Sequence, residues 1–582
     1  MNRKLENNNI VLLFRKLLPV QILICMSSCL SGLVSGIIIG NFLDSYALSA
    51  LGFVNPLNNI ISAFASLIST GSGILCGMAI GKGDKKQIDK IFSISLKILF
   101  IVGIVITVIT SIFAYDIAAL CGAKADQIAI TATYIKGLGI GYLPMIIIPT
   151  LITFLQMSNR SLFSLILTIS LAVFTLLYNV LFLNFISTDL FYIGIASSLS
   201  QFTVLVIALI YFLIHRITSF SLTCFDSQIL KDLFKYGFPG AIVGIFYSFR
   251  NIYINTVANT TAGTIAVSGM AIVFSFAGFF DSINVGVGNS TKMLSSVFVG
   301  ERDSKSLNIL TAHALKEGII LAILKIIIIF LFGYQICSFF TNDVQILKQA
   351  FLMLKFYSLC MPFNIIVVVL SAIYLNEGKI ILSNIMNLST ALLFPCALCT
   401  ILPRFMGING VYISYMLVEI ITIIIFYIYA SIYNRKPVVS IDQLLCLPEN
   451  FVIVNKITVS INSIADTMEL SEKIISFCEE RGIDSKRARA AGLCIEELAT
   501  NIIIHGFSKD KKRHHTIDAF VRIENNEVFI RLRDDCLPFD PAKRLSSSND
   551  KESNLGLRLV RGISSSMQYQ TTFGLNVLNI TI

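Results

Sequence analysis

The sequence predicts an all-α polytopic membrane bundle of about twelve transmembrane helices in two six-helix repeats, followed by a C-terminal α/β sandwich. Three observations carry that prediction. Hydrophobic residues make up 55% of the 582 and charged residues only 14%, with a mean hydropathy of +0.78, beyond what a water-soluble core needs. Cations recur at alternate turns between the apolar runs. Past residue 440 the long apolar runs stop and charges become frequent.

Runs such as Ile98–Phe113, Met145–Met157, Leu162–Phe182 and Ile319–Phe332, extended through uncharged flanks, approach the ~20 residues that cross a hydrocarbon core. Met1–Asn9 is polar and no small-residue cleavage pattern follows the first run, so the first helix is expected to stay. Arg15 and Lys16, then Lys82, Lys85, Lys86 and Lys90, Arg160, Arg216, Lys231 and Lys235, Arg302 and Lys305, Lys379, and Arg435 and Lys436 mark alternate turns. The intervening turns carry Asp44, Asp116, Asp126, Asp189 and Asp343. The positive-inside bias then puts both termini in the cytoplasm and the chain, multi-pass, in the plasma (inner) membrane. The net charge of +10 is read as topology, with no nucleic-acid partner. The 13 cysteines lie mostly in apolar stretches and suggest no disulfide frame, and Cys396 and Cys399 form a C-x-x-C read as packing.

The membrane region reads as one unit written twice, offset by roughly 217 residues. Gly81-Lys82-Gly83-Asp84 falls opposite Gly300-Glu301-Arg302-Asp303, Pro144 opposite Pro362, Asn159 opposite Asn376 and Gly194 opposite Gly410. The halves are set at 10–220 and 228–435, in the same orientation, able to rock about a central cavity. Buried ionisable groups cost roughly 2.5–3.5 kcal/mol at a helix centre on insertion scales, so each needs a reason. Asp281, Arg250, Lys325 and Glu419 stand out, and Asn284 shares a helix face with Asp281. One reading makes Asp281 and Arg250 a structural ion pair, with Lys325 snorkelling and Glu419 at a turn. The other makes Asp281, Asn284, Glu419 and Arg250 a coupling or substrate-charge site. Gln156, Asn159 and Asn364 either line a pathway or bond helix to helix.

The soluble domain is set at 440–582. Ile457–Ile461 alternates as a strand, Ile464–Arg481 is an amphipathic helix closed by Gly482, and Asp484 or Ser485 caps a second helix to His505. Thr516–Ile523 and Val528–Leu532 alternate as strands, joined through Glu524–Glu527. The expectation is a helix layer on a mixed sheet. Glu497 and Asn501 lie four apart and project from one helix face, a pair suited to placing a water and a magnesium-bound phosphate. Arg533-Asp534-Asp535-Cys536-Leu537-Pro538-Phe539-Asp540-Pro541 ends a strand, and Asn554-Leu555-Gly556-Leu557-Arg558 starts a helix, an arrangement for adenine and a phosphate tail. His505, His514 and His515 are read as surface or turn residues without metal-ligand companions. A Walker-type loop is absent from the sequence, as is a dimerisation helix carrying a phospho-acceptor His.

The membrane part resembles the MATE family of multidrug and toxin exporters. The resemblance rests on Leu48-Ser49-Ala50-Leu51-Gly52, Gly71-Ser72-Gly73, Ala79-Ile80-Gly81-Lys82-Gly83-Asp84 and their second-half copies. It implies alternating access, export of amphipathic, often cationic compounds, and coupling to a proton or sodium gradient. Ser35 and Gly36 stand where many prokaryotic members have an acid, and Leu183, beside Asn184, where some have an aspartate. The three C-terminal boxes resemble the GHKL ATPase fold in its anti-sigma-factor serine kinase branch. That resemblance implies ATP and Mg as cofactors, with Asn501 as magnesium ligand, Glu497 as general base, Asp534 at the adenine amino group, and Gly556 and Arg558 near the phosphates. Cys536 replaces a glycine of the adenine box, where a side chain is expected to crowd the base, and Asn554 replaces the first glycine of the lid box.

Together these features predict a cation-coupled secondary transporter, an antiporter exporting amphipathic small molecules, with a cytoplasmic nucleotide-binding regulatory domain. The rival reading is a ligand-sensing membrane protein controlling a serine/threonine protein kinase that acts on a soluble STAS-like phospho-acceptor. ATP-driven pumping ranks below both, since nothing in the sequence couples one ATPase domain to both halves.

Overall fold

The structure, a computed structural model, describes residues 8–42, 45–121, 123, 126–186, 189–221, 225–338, 343–448, 451, 456–507, 515–524, 526–541, 555–572 and 574–582. The side chains of Ser35 and Gly36, and all of His514 and Asn554, lie outside that description.

The first half runs through α1 (Asn8–Phe42), α2 (Ser45–Lys82), α3 (Lys85–Ile112), α4 (Asp126–Gly139), α5 (Tyr142–Met157), α6 (Ser161–Phe185) and α7 (Leu190–His215). The second comprises α8 (Ser227–Gly300), α9 (Ser304–Ser338), α10 (Val344–Leu359), α11 (Met361–Asn376), α12 (Ile380–Leu388), α13 (Phe394–Ile401) and α14 (Ile408–Tyr433). Among the described residues eight helices are long and apolar enough to cross a membrane, or eleven if each of three bent pairs is one span. The arm of α8 from Ser227 to its break at Gly263, where φ is 68°, adds a further helical segment.

The repeat is visible in the bends. In the first half α4 and α5 meet at 48°, and in the second α10 and α11 meet at 44°. The matched prolines Pro144 and Pro362 sit in the first turn after each break, where a missing N–H leaves no helical bond unmade. The halves are closed against each other at one end by small residues. A Cβ at Gly81 would collide with the Val297 carbonyl, one at Gly300 with the Met78 carbonyl, and one at Gly77 with the Ser296 hydroxyl. Helices approach this closely only where side chains are absent.

The C-terminal domain has a five-stranded sheet in the order β1-β2-β3-β5-β4, built from β1 (Lys456–Ile461), β2 (Ile517–Glu524), β3 (Glu527–Asp534), β4 (Ser566–Thr572) and β5 (Leu575–Thr581). Every pairing is antiparallel, which corrects the mixed sheet expected from sequence. Hairpin-length connections from β2 to β3 and from β4 to β5 leave no room for a parallel crossover. α15 (Ile464–Glu479) is capped by Ser463 and α16 (Ser485–Asn501) by Asp484, whose carboxylate accepts from Arg487 N at 3.0 Å. Both cover one sheet face with α17 (Leu555–Ile563), burying Ile517, Ala519, Val521, Val528, Ile530 and Leu532.

Alternation sends the intervening residues to the other face, which is not solvated. It packs on the closed end of the bundle. Asn9 Nδ2 donates to Asp518 Oδ2 at 3.1 Å, Gln570 Nε2 donates to the Ile80 carbonyl at 2.6 Å, and Leu575 joins the bundle core. The domain thus touches the first half at Asn9 and Ile80 and the second at Arg302, whose Nη1 lies 3.2 Å from Glu524 Oε1.

Candidate functional site

Three places concentrate polar chemistry, and the first lies on the helix face of the sheet. A cavity of about 500 Å³ is lined by Glu497, Asn501, His505, Asp534, Cys536 and Gly556. Four-residue spacing on α16 aims Glu497 and Asn501 into it. After Asn501 the helix widens into a π-helical turn, Ile502–Gly506, that brings His505 to the cavity rim. Asp534, the last residue of β3, accepts at Oδ1 from Asn576 Nδ2 at 2.8 Å and from Cys536 N at 3.0 Å. Tyr569 donates from its hydroxyl to Asn576 Oδ1 at 2.7 Å. Burial pushes the Asp534 carboxyl up, partly offset by the bonds from Asn576 and Cys536.

The arrangement fits a nucleotide. An acceptor carboxylate is held rigidly at one end, an acid-amide pair lines the middle, and Gly556 opens the first turn of α17, where a Cβ would overlap the Glu497 carboxylate. Cys536 lines the cavity and packs on Gly506, where a Cβ would stand 3.0 Å from its sulfur. Arg558 is half-buried on α17 and is not among the lining residues. His515 does have companions, a correction to the sequence reading. Its Nδ1 lies 2.8 Å from Asp535 Oδ1, with Cys536 beside them. Asn576 and Tyr569 went unnoticed in the sequence because β4 and β5 carry no motif.

The second place is the opposite face of the same strand. Arg531 Nη1 lies 2.7 Å and Arg533 Nη2 2.7 Å from Glu301 Oε2, and Arg531 Nη2 lies 3.0 Å from Asp303 Oδ2. All four side chains are at most 8% exposed. Burial alone would raise Asp303, but the guanidinium groups of Arg531 and Arg533 and two bonds from Ser306 hold its carboxyl at about 2. Glu301 and Asp303 belong to the second-half copy of the repeated loop. Gly83 of the first-half copy packs on Asn579, a Cβ there coming within 2.7 Å of its Nδ2.

The third place is inside the membrane bundle. Tyr357 donates to Asp281 Oδ2 at 2.6 Å, and no Asp281–Arg250 ion pair occurs among the described residues. Arg250 instead stacks on the rings of Tyr247 and Tyr415, at 4.6 and 5.7 Å. Lys325 does not snorkel. It is 2% exposed, and its ammonium donates to the Phe280 carbonyl at 2.8 Å. Asn284 donates to Asn364 at 2.8 Å rather than bonding Asp281, and Asn364 donates to Glu419 Oε1 at 2.9 Å. Glu419 is therefore buried in the bundle and not at a turn, and its Oε2 has no hydrogen-bond partner among the described residues. Gln156 lies elsewhere, beside a chamber of about 610 Å³ in the first half, and accepts from Gln21 at 3.0 Å. Asn376 bonds helix to helix, to the Lys292 carbonyl at 2.7 Å, while Asn159 takes a left-handed turn conformation with φ 61°. Asn184 is exposed and bonds back to its own helix.

Comparison with known proteins agrees with this architecture. Residues 22–181 and 239–401 match the MatE family, and residues 464–582 match the histidine kinase-like ATPase domain. The multidrug export protein MepA of Staphylococcus aureus strain MSSA476 is 23% identical over 323 residues, covering 54% of this chain and 70% of the relative. Its namesake in Staphylococcus saprophyticus is 22% identical over 320 residues, with the same coverage of both chains. A multidrug resistance MATE family transporter of the MOP superfamily, solved in an outward-facing conformation, superposes with a TM-score of 0.69 at 18% identity, over 73% of this chain and 96% of that one. The chain belongs to the MatE family and carries a histidine kinase-like ATPase domain on the C-terminal side of its membrane bundle.

Proposed function

We propose that the chain is a gradient-driven exporter of amphipathic small molecules, gated at its cytoplasmic end by a nucleotide-binding domain. The first-half chamber is the substrate site. Asp281, Asn284 and Glu419 form the coupling site for a proton or sodium ion, with Arg250 setting the local field. The unpartnered Glu419 oxygen supports this, because a buried acceptor with no protein donor suits a site that a proton or cation occupies in turn. Both termini are cytoplasmic in this reading.

The observation that carries the regulatory part is the ion cluster of Glu301, Asp303, Arg531 and Arg533, which ties the domain to the second half beside the seam where the halves close. Asp534 follows Arg533 in one strand and faces the nucleotide cavity, so ATP at one face bears on the clamp at the other. Asp534 and Gly556 would hold ATP, with Arg558 reaching the phosphates from outside the cavity lining, and Asn501 would hold Mg, with Glu497 placed to take a proton from an attacking hydroxyl. Separation of the clamp frees the seam to open.

Substrate efflux from cells expressing the full chain tests the proposal. Export that collapses with the ion gradient and with Glu419→Gln, and that changes rate with Arg533→Gln, is expected. Export insensitive to the gradient and to both changes sinks it. The adjacency of Arg533 and Asp534 also favours the reverse direction of signalling, in which a bound ligand controls serine kinase activity toward a STAS-like protein. Phosphorylation of such a partner, lost in Glu497→Ala and without any efflux, identifies that case.

A further inference from the structure

Lys292 is the single charged side chain among the described residues lining the first-half chamber. The rest of the wall is neutral, with hydroxyls such as Ser66 and Thr153, amides such as Gln201 and Asn289, and apolar groups such as Ile152 and Leu171. At about 610 Å³ the chamber falls within the range, roughly 300–1,000 Å³, of small-molecule sites.

Among the described residues no acid is available to neutralise Lys292 there: Glu301, nine residues further along, is held by Arg531 and Arg533 at 2.7 Å each. Helices α1, α2, α5, α6 and α7, which form the wall with α8, contain no Asp or Glu along their whole length. Within the inner arm of α8 the only carboxylate is Asp281, eleven residues earlier. That is about 16 Å along the helix axis. Asp281 is already bonded to Tyr357 at 2.6 Å. The side chain beside the Lys292 ammonium is Cys25, which bonds Asn289, and neither is a carboxylate. The second-half cluster sets two acids, Asp281 and Glu419, against two cations, Arg250 and Lys325, and so has no charge to lend.

An ammonium in a chamber of neutral dipoles repels a cationic guest and lacks a counter-charge of its own. We propose that the chamber takes amphipathic organic anions, a carboxylate, sulfonate or phosphate head on Lys292 and an apolar body against Ile152 and Leu171. This rests on the reading of the chamber as the substrate site, and it reverses the charge that the family resemblance implied.

Two dyes on one xanthene frame test it: fluorescein, an anion at neutral pH, and rhodamine 6G, a cation. Fluorescence anisotropy with the purified full-length protein reads charge preference, and uptake into everted membrane vesicles reads transport. Fluorescein is expected to bind and rhodamine 6G not. Lys292→Gln should weaken fluorescein binding on the order of tenfold. Lys292→Arg should retain it, separating loss of charge from loss of fold, and Lys292→Glu should move the preference to rhodamine 6G. Tighter binding of rhodamine 6G by the unaltered protein, fluorescein binding unchanged in Lys292→Gln, or binding of neither dye overturns the assignment. Lys292-dependent fluorescein binding with no vesicle uptake of either dye upholds the assignment and removes the transport reading instead.

Discussion

The two halves of the bundle share a backbone plan but divide the chemistry between them. The first half holds an open chamber walled by neutral side chains, to whose lining the second half's α8 contributes Lys292. In the second, the corresponding interior is filled by Tyr357, Tyr415 and Phe274, with Asp281, Glu419, Arg250 and Lys325 set among them. Matched breaks at Pro144 and Pro362 show that backbone repetition does not require repetition of charge. The half that holds space gave up acids, and the half that holds acids gave up space.

Removing one charge from the second half should be the most damaging change. Asp281→Asn removes a carboxylate that offsets the buried charges of Lys325 and Arg250 without bonding either directly, and a buried charge left uncompensated costs about 3–5 kcal/mol. A large drop in the melting temperature of the solubilised protein is expected, partly restored by adding Lys325→Met. Gln156→Leu in the first half, which removes one neutral bond, should cost only about 1 kcal/mol. Equal losses would erase the contrast between the halves.

The seam between them comes next. Gly81→Ala sets a methyl against the Val297 carbonyl, and overpacking of this sort costs about 1–3 kcal/mol of the closed arrangement. Thiol labelling of cysteines introduced along the seam should rise; unchanged labelling would mean that the halves do not close there.

The pH dependence is smaller and has opposite signs of shift on the two faces of β3. Asp303 is held at about 2, so the clamp's stabilisation is fully present above the ordinary aspartate pKa and is lost as pH falls through that lower value. The ordinary value is about 3.9. Asp534 is raised, so its charged acceptor form, and with it nucleotide affinity, declines as pH falls through a value above that ordinary range. Nucleotide binding should therefore weaken in mild acid while domain docking, read by cross-linking across the interface, holds. Loss of docking first would reverse the assignment of the two carboxylates.

Most of this architecture was legible in the residues. Apolar run lengths and the Gly-x-x-Asp copies reveal spans and repeat, and the motifs that hold Glu497, Asn501 and Asp534 mark residues that line one cavity. What escaped were facts about covering. Arg531 and Arg533 alternate with buried Ile530 and Leu532, a pattern that reads as a solvated strand face, because periodicity tells which residues share a face and not what lies on it. The Arg250–Asp281 pairing failed for a related reason: helix rotation, set by packing of Tyr357 and Tyr415, decided which partner each charge met. Lys292 was passed over although a signal was present, a cation in an apolar helix with no acid within two turns.

That lysine bears on energetics as well as on recognition. A cell interior is electrically negative, and each elementary charge crossing the membrane exchanges roughly 2.3 kcal/mol per 100 mV with the field. A carrier of cations must work outward against that voltage and needs an ion to drive it. A guest that pairs with Lys292 leaves in the direction the voltage already favours, so a first half without any coupling acid is what electrostatics would ask of it.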